Sequence, residues 1–168
     1  MRHHRFALSP APAKAFRHEG LRLAVETAAA LFAAQVVLTY AFAWTGMMGV
    51  VIDALSRREL LYTLVVYAAM AIAGFWLASR LRGKMHVGVG AALLGSFAAA
   101  FILSVFDLLL PFVYALVPLA PGAAAVRLDA IYADPNFYVS YLLYGTIWAG
   151  IMMVFGSLLN VLLVRARK

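Results

Sequence analysis

Cysteine is absent from the 168 residues, which excludes disulfides, thiolate metal sites and haem attached through Cys. Charge is scarce as well. Asp, Glu, Lys and Arg make up 12% of the chain, about half the roughly 25% of soluble domains. Catalytic signatures are also missing: there is no G-x-S-x-G, H-E-x-x-H, phosphate-binding glycine loop or Ser/His/Asp arrangement. An enzyme reading therefore finds little support, and no cofactor or metal is expected. His3 and His4 form a terminal pair in a polar tail and read as solvated groups, not ligands. No internal repeat marks an inverted-repeat transporter.

In place of these features the chain is apolar, with 65% hydrophobic residues and a mean hydropathy of +0.91. Several apolar runs exceed the roughly 20 residues needed to cross a hydrocarbon core about 30 Å thick. None alternates like a membrane barrel strand. The fold class expected is an all-α integral membrane protein with four transmembrane helices and short interfacial segments in both outer loops. The net charge of +7 sits in clusters beside the apolar runs, as membrane-flanking charge does, so no nucleic-acid partner is expected.

A basic tail, 1–22, is interrupted by Pro10 and Pro12 and precedes a first span at 23–44. Ala41-Phe42-Ala43 resembles a signal cleavage site, but the apolar run outlasts a signal core and continues through Met47, Met48, Val50 and Val51, so the helix should stay as an anchor. Ser56-Arg57-Arg58-Glu59 has the form of a capping box and opens a second span at 57–81, closed by Arg80, Arg82, Gly83 and Lys84. The longest run, Val87 to Leu119, supplies a third span at 87–110. Pro111, Pro118 and Pro121 then kink and break it. Ala123 to Ala133 reads as a short interfacial helix or loop. Asp134 as N-cap and Pro135 at the first helical position open a fourth span at 135–164, and 165–168 form a basic end.

Basic residues gather in the two tails and in Arg80 to Lys84, which places both termini in the cytoplasm of a bacterial inner membrane. Tyr40, Trp44, Tyr62, Tyr132, Tyr138 and Tyr141 then fall near the outer surface as an aromatic belt. The bacterial assignment rests on the Arg- and Ala-rich composition.

An ionisable residue inside a span is by default a functional candidate. Asp107 shares one face of the third helix with Ser104, Ala100 and Ser96. That stripe could be a proton relay, a ligand site or a docking stripe, or else Asp107 pairs with Arg57, Arg58 or Arg127. Glu26, at the opposite membrane face, is either a proton or cation site or the partner of Arg22, Arg80, Arg82 or Arg165. The two acids are too far apart for a paired-carboxylate site. On the fourth helix Gly145, Ala149, Gly156 and Asn160 form a packing face for the bundle or for another protein. Arg57, Arg58 and Arg127 are candidates for an anionic headgroup.

Beyond the lipid bilayer, the leading expectation is an accessory or assembly subunit of a larger membrane complex. The alternatives are a small homo-oligomeric transporter or channel using Asp107 and Glu26, and a protein that handles lipids or a polyprenyl phosphate.

Overall fold

The computed structural model describes residues 10–44, 57–85, 87–119 and 126–166, with side chains described throughout except at 10–17, 57–60, 84, 165 and 166. Among the described residues there are helices and no strands. They are α1 (Pro10–Trp44), α2 (Arg57–Met85), α3 (Val89–Asp107), α4 (Leu110–Leu116), α5 (Leu128–Ala133), α6 (Pro135–Tyr138), a π-helical segment (Val139–Gly145) and α7 (Thr146–Ala166). They build four rods long and apolar enough to cross a membrane: His18–Trp44, Leu61–Gly83, Val89–Leu116 and Pro135–Val164.

The packing inverts the pattern of a water-soluble bundle. Large apolar side chains such as Leu94, Phe101, Leu116, Phe155 and Leu162 face outward, while much of the interior is Ala, Ser and Thr. Such a surface suits lipid, where helices have no hydrophobic reason to associate and contact comes from small residues and hydrogen bonds. Gly74 and Gly156 supply it between α2 and α7. A Cβ on Gly156 would overlap the Ala71 carbonyl, and one on Gly74 the Met153 carbonyl. The two backbones touch where side chains would hold them apart.

Ring and hydroxyl contacts set the helix directions. Phe32 meets Phe106 and Tyr40 meets Tyr114, so α1 and the α3–α4 rod run in parallel. Tyr67 stacks on Trp148 and Arg82 reaches Asn160, so α2 and α7 run in parallel. Ser104 faces Gly145 while Ser96 bonds Ser157, so α3 and α7 are antiparallel. The start of α1 and the close of α7 therefore share one end of the bundle with Arg80 and Arg82, the arginine end. Tyr40, Tyr62, Tyr114, Tyr132, Tyr138 and Tyr141 gather at the other, the tyrosine end.

Four boundaries depart from the sequence expectation. The helix α1 starts at Pro10, inside the stretch read as an interrupted tail. Prolines in a first turn break nothing, because the N–H groups there have no intrahelical acceptor anyway. The helix α2 passes through Gly83 to Met85 instead of stopping at Leu81. Third, the break near Pro111 comes one turn early. Pro111 has no N–H for the Asp107 carbonyl and its ring crowds that carbonyl, so Leu108 and Leu109 form a turn, donating to Val105 O at 3.3 Å and Phe106 O at 2.8 Å. Finally, the fourth rod is not one α-helix. After Asp134 caps it, its side chain accepting from the Asn136 N–H at 2.9 Å, the rod widens into π geometry over Val139–Gly145.

Candidate functional site

Ser96, Ala100, Ser104 and Asp107 lie on one face of α3, and all four are buried. That face looks onto α7. Ser96 and Ser157 hydroxyls meet at 2.5 Å, and Ser157 also reaches Gly74 O on α2 at 2.9 Å. Each hydroxyl has one proton, so Ser157 donates to Gly74 O while Ser96 donates to Ser157 or to its own Ala92 O at 3.1 Å. Toward the tyrosine end Ser104 donates to Ala100 O at 3.1 Å and fills the space left by the missing side chain of Gly145, where a Cβ would stand 3.2 Å from its Oγ.

Asp107 lies one turn beyond Ser104 and is 8% exposed. Its Oδ1 has no hydrogen-bond partner, and the same holds for Oγ1 of Thr146, buried where the π segment meets α7. No cation among the described residues pairs with Asp107. Tyr114 and Tyr141 are close enough to feel its charge, and Tyr62 is close to both tyrosines. Thr39 on α1 hydrogen-bonds Tyr62 at 2.8 Å and lies beside Tyr114. All four rods thus converge here: Thr39 from the first, Tyr62 from the second, Asp107 and Tyr114 from the third, Tyr141 and Thr146 from the fourth.

An aromatic layer closes the end. Tyr132 donates to Leu108 O at 2.6 Å, taking up a carbonyl of the turn before Pro111. Tyr138 donates to Tyr132 O at 3.1 Å. Phe137 packs on Tyr132, Tyr138 and Tyr141, and Tyr40 donates to Val117 O at 2.5 Å.

The other candidates lie elsewhere. Glu26 pairs with Arg22 at 2.7 Å on the exposed side of α1, far from Asp107. Arg127 pairs with Asp129 at 2.8 Å, also exposed, and the guanidinium holds the Asp129 carboxyl below the usual carboxylate range. The side chains of Arg57 and Arg58 lie outside the described residues, as do His3, His4, Ser56 and His86. The small-residue face of the fourth rod is spent inside the bundle: Gly145 against Ser104, Gly156 against Ala71, Ala149 in the core, and Asn160 accepting from Arg82 at 3.4 Å.

Sequence reasoning did not single out Thr146, Tyr114, Ser157 or Gly74. Ser157, next to Gly156 in an apolar run, carried a signal that could have been matched to Ser96. The role of Thr146 depends on π geometry, for which the sequence carries no sign.

Chemically, the site offers one carboxylate and several hydroxyls. Among the described residues no three His, Asp or Glu approach closely enough to hold a metal. A crevice between α1, α2 and α3, lined by Leu31, Leu38, Val66, Met70, Leu103 and Gln35, has room for about one water molecule. No family model, curated protein or solved structure matches this chain.

Proposed function

We propose that this chain is an integral inner-membrane protein of the small-transporter class, with Asp107 as its proton-carrying residue. The arginine end faces the cytoplasm, where basic flanks are retained, and the tyrosine end faces outward. The observation that carries the reading is the buried Asp107 Oδ1 without a partner, at the point where all four rods meet. A carboxylate enclosed with no cation beside it among the described residues is costly in ionised form, which favours an enclosed group that holds a proton or a bound cation. A proton fits best, because among the described residues no group of three His, Asp or Glu is gathered to ligate a metal ion. Opening toward water releases it, closing favours its return, and that cycle is what a coupling residue does. Glu26, already paired and exposed, has no share in it.

The test is flux. In proteoliposomes of the purified chain under an imposed proton gradient, Asp107→Asn should abolish proton entry while the protein stays monodisperse. Unchanged flux would remove the reading.

A second reading, an accessory or assembly subunit, has one observation in its favour. The outward strip of α7 with Ile147, Ile151, Phe155 and Leu162 is apolar and exposed. Native mass spectrometry after gentle extraction separates the two. A larger protein bound to this chain favours the subunit reading, and a homo-oligomer favours transport. Of the headgroup candidates, Arg127 pairs with Asp129, and the side chains of Arg57 and Arg58 lie outside the described residues.

A further inference from the structure

Eight buried polar side chains are found among the described residues, and six of them, Ser96, Ser104, Asp107, Thr146, Ser157 and Asn160, stand on α3 and α7. Two hydroxyls of an apolar helix can each be satisfied by the carbonyl one turn back, wherever they point. Such local bonding does not explain why six such groups gather on two antiparallel helices that meet through Ser96 and Ser157. Ordered by depth, Asp107 is nearest the tyrosine end, with Ser104 and Thr146 about one turn deeper. Ser96 and Ser157 come next, and Asn160 with half-buried Arg82 ends the file at the arginine end. We infer that this file is a gated proton path that meets Asp107, with an apolar plug in its middle. The inference rests on the transporter reading and extends it.

The plug is visible in the same file. From Ser104 to Ser96 the helix rises about 12 Å, and at those levels stand Ala99, Ala100, Ala149, Met153 and Leu103, all 2% exposed or less, Leu103 also lining the crevice between α1, α2 and α3. A proton moves along hydroxyls and waters that accept one proton as they donate another. An apolar stretch of that length has neither, so the path is shut in this conformation and proton entry waits on the movement that wets it. Arg82 at its far end is a second closure, since a fixed positive charge repels a cation in a narrow polar file. Both closures are what coupling requires: an open file would dissipate the gradient that Asp107 is meant to use.

The half that has to move is the irregular half. A π segment is one residue out of α register and often marks a functional site, and here it ends at Thr146, whose hydroxyl has no partner. Facing it across the bundle, the turn at Leu108 and Leu109 interrupts α3. Movement of either would admit water beside Leu103. The carboxyl O–H proton of Asp107 then passes to that water, a proton leaves from the far end of the chain of waters and hydroxyls, and the carboxylate is re-protonated from the tyrosine end.

Wetting the plug tests the path directly. In proteoliposomes with a trapped pH dye, Leu103→Ser should raise proton entry by about tenfold, the change given by removing roughly 1.4 kcal/mol of barrier. Adding Asp107→Asn or Ser157→Ala to Leu103→Ser should cancel that rise. A folded Leu103→Ser protein with no rise overturns the path, and so does a rise insensitive to both second substitutions, which marks a general leak. Met153→Ser serves as the second variant if Leu103→Ser is not monodisperse. The two failures are distinguishable. If Asp107→Asn alone abolishes wild-type flux but Ser157→Ala leaves the Leu103→Ser leak intact, the transporter reading stands and the path falls.

Discussion

The two halves of the bundle solve the same problem in opposite ways. Toward the arginine end the helices are regular, Gly74 and Gly156 bring α2 and α7 into backbone contact, and Ser96 and Ser157 are hydrogen-bonded. Toward the tyrosine end a turn breaks α3, a π segment widens the fourth rod, and two buried oxygens, Asp107 Oδ1 and Thr146 Oγ1, have no partner. A buried polar group left unpaired costs about 1–3 kcal/mol. The same short chain satisfies such groups in one half, so their persistence in the other points to use and not to poor packing. The arginine half stores stability and the tyrosine half spends some of it.

The sharpest way to break that contrast is at the crossing. Gly156→Ala puts a methyl group into the Ala71 carbonyl, so α2 and α7 must separate and the Ser96–Ser157–Gly74 bonds stretch with them. The expected loss is about 3 kcal/mol, the upper range of overpacking, read by reversible unfolding in mixed micelles. Gly20→Ala is the counterpart, since nothing stands within 4 Å of that position. It should stabilise α1 by about 0.5–1 kcal/mol, the ordinary helix preference of Ala over Gly. Equal effects at the two glycines would show that the crossing is not close.

At the tyrosine end the sign should reverse. Asp107→Leu replaces a buried carboxyl whose Oδ1 has no partner by an apolar group of similar length, and stability should rise by about 1–2 kcal/mol while the proposed proton flux is lost. A loss of stability would make Asp107 a structural residue and dissolve the difference between the halves.

A smaller effect sharpens the contrast from the satisfied side. Ser157→Ala removes the donor to Gly74 O and the acceptor of Ser96, but Ser96 can fall back on Ala92 O. The net cost should be about 1 kcal/mol, the size of one interhelical hydrogen bond in a membrane protein. A cost near that of Gly156→Ala would mean that the hydroxyls, not the glycines, hold α2 and α7 together.

How far each half could be read beforehand follows the same division. Regular helix leaves a periodic trace, so the four apolar rods, the shared face of Ser96, Ala100, Ser104 and Asp107, and the cap at Asp134 were all legible. So was the small-residue face of the fourth rod, though not its neighbour: spacing says that Gly156 lets a backbone approach, and only the fold says that the backbone is Ala71. The irregular half was legible only in part. Pro111 announces a break but not its position, which depends on which carbonyl the ring crowds. The π segment has no residue signature, and with it went the burial of Thr146 and the approach of Tyr141 to Asp107. Tyr62, Tyr114 and Tyr141 come from three rods, and their convergence is a matter of tilt and azimuth that one-dimensional spacing does not encode.

The weakest expected effect lies on the surface of the irregular end and limits what the contrast covers. Arg127 holds the exposed Asp129 carboxyl below the usual carboxylate range. Because that carboxyl titrates lower in the folded protein than in the unfolded chain, its contribution is fully present above the ordinary carboxylate pKa. It is lost as pH falls through the lowered value. Both side chains are largely in solvent, where ion pairs are screened and contribute little. Arg127→Gln should therefore leave unfolding at neutral pH unchanged within error and remove only a slight acid-side slope. A clear destabilisation at neutral pH would mean that the α5 loop is held by charge. The tyrosine end would then depend on its surface as well as on Tyr132 and Leu108, and the carboxyl beneath it would be enclosed by a latch sensitive to salt.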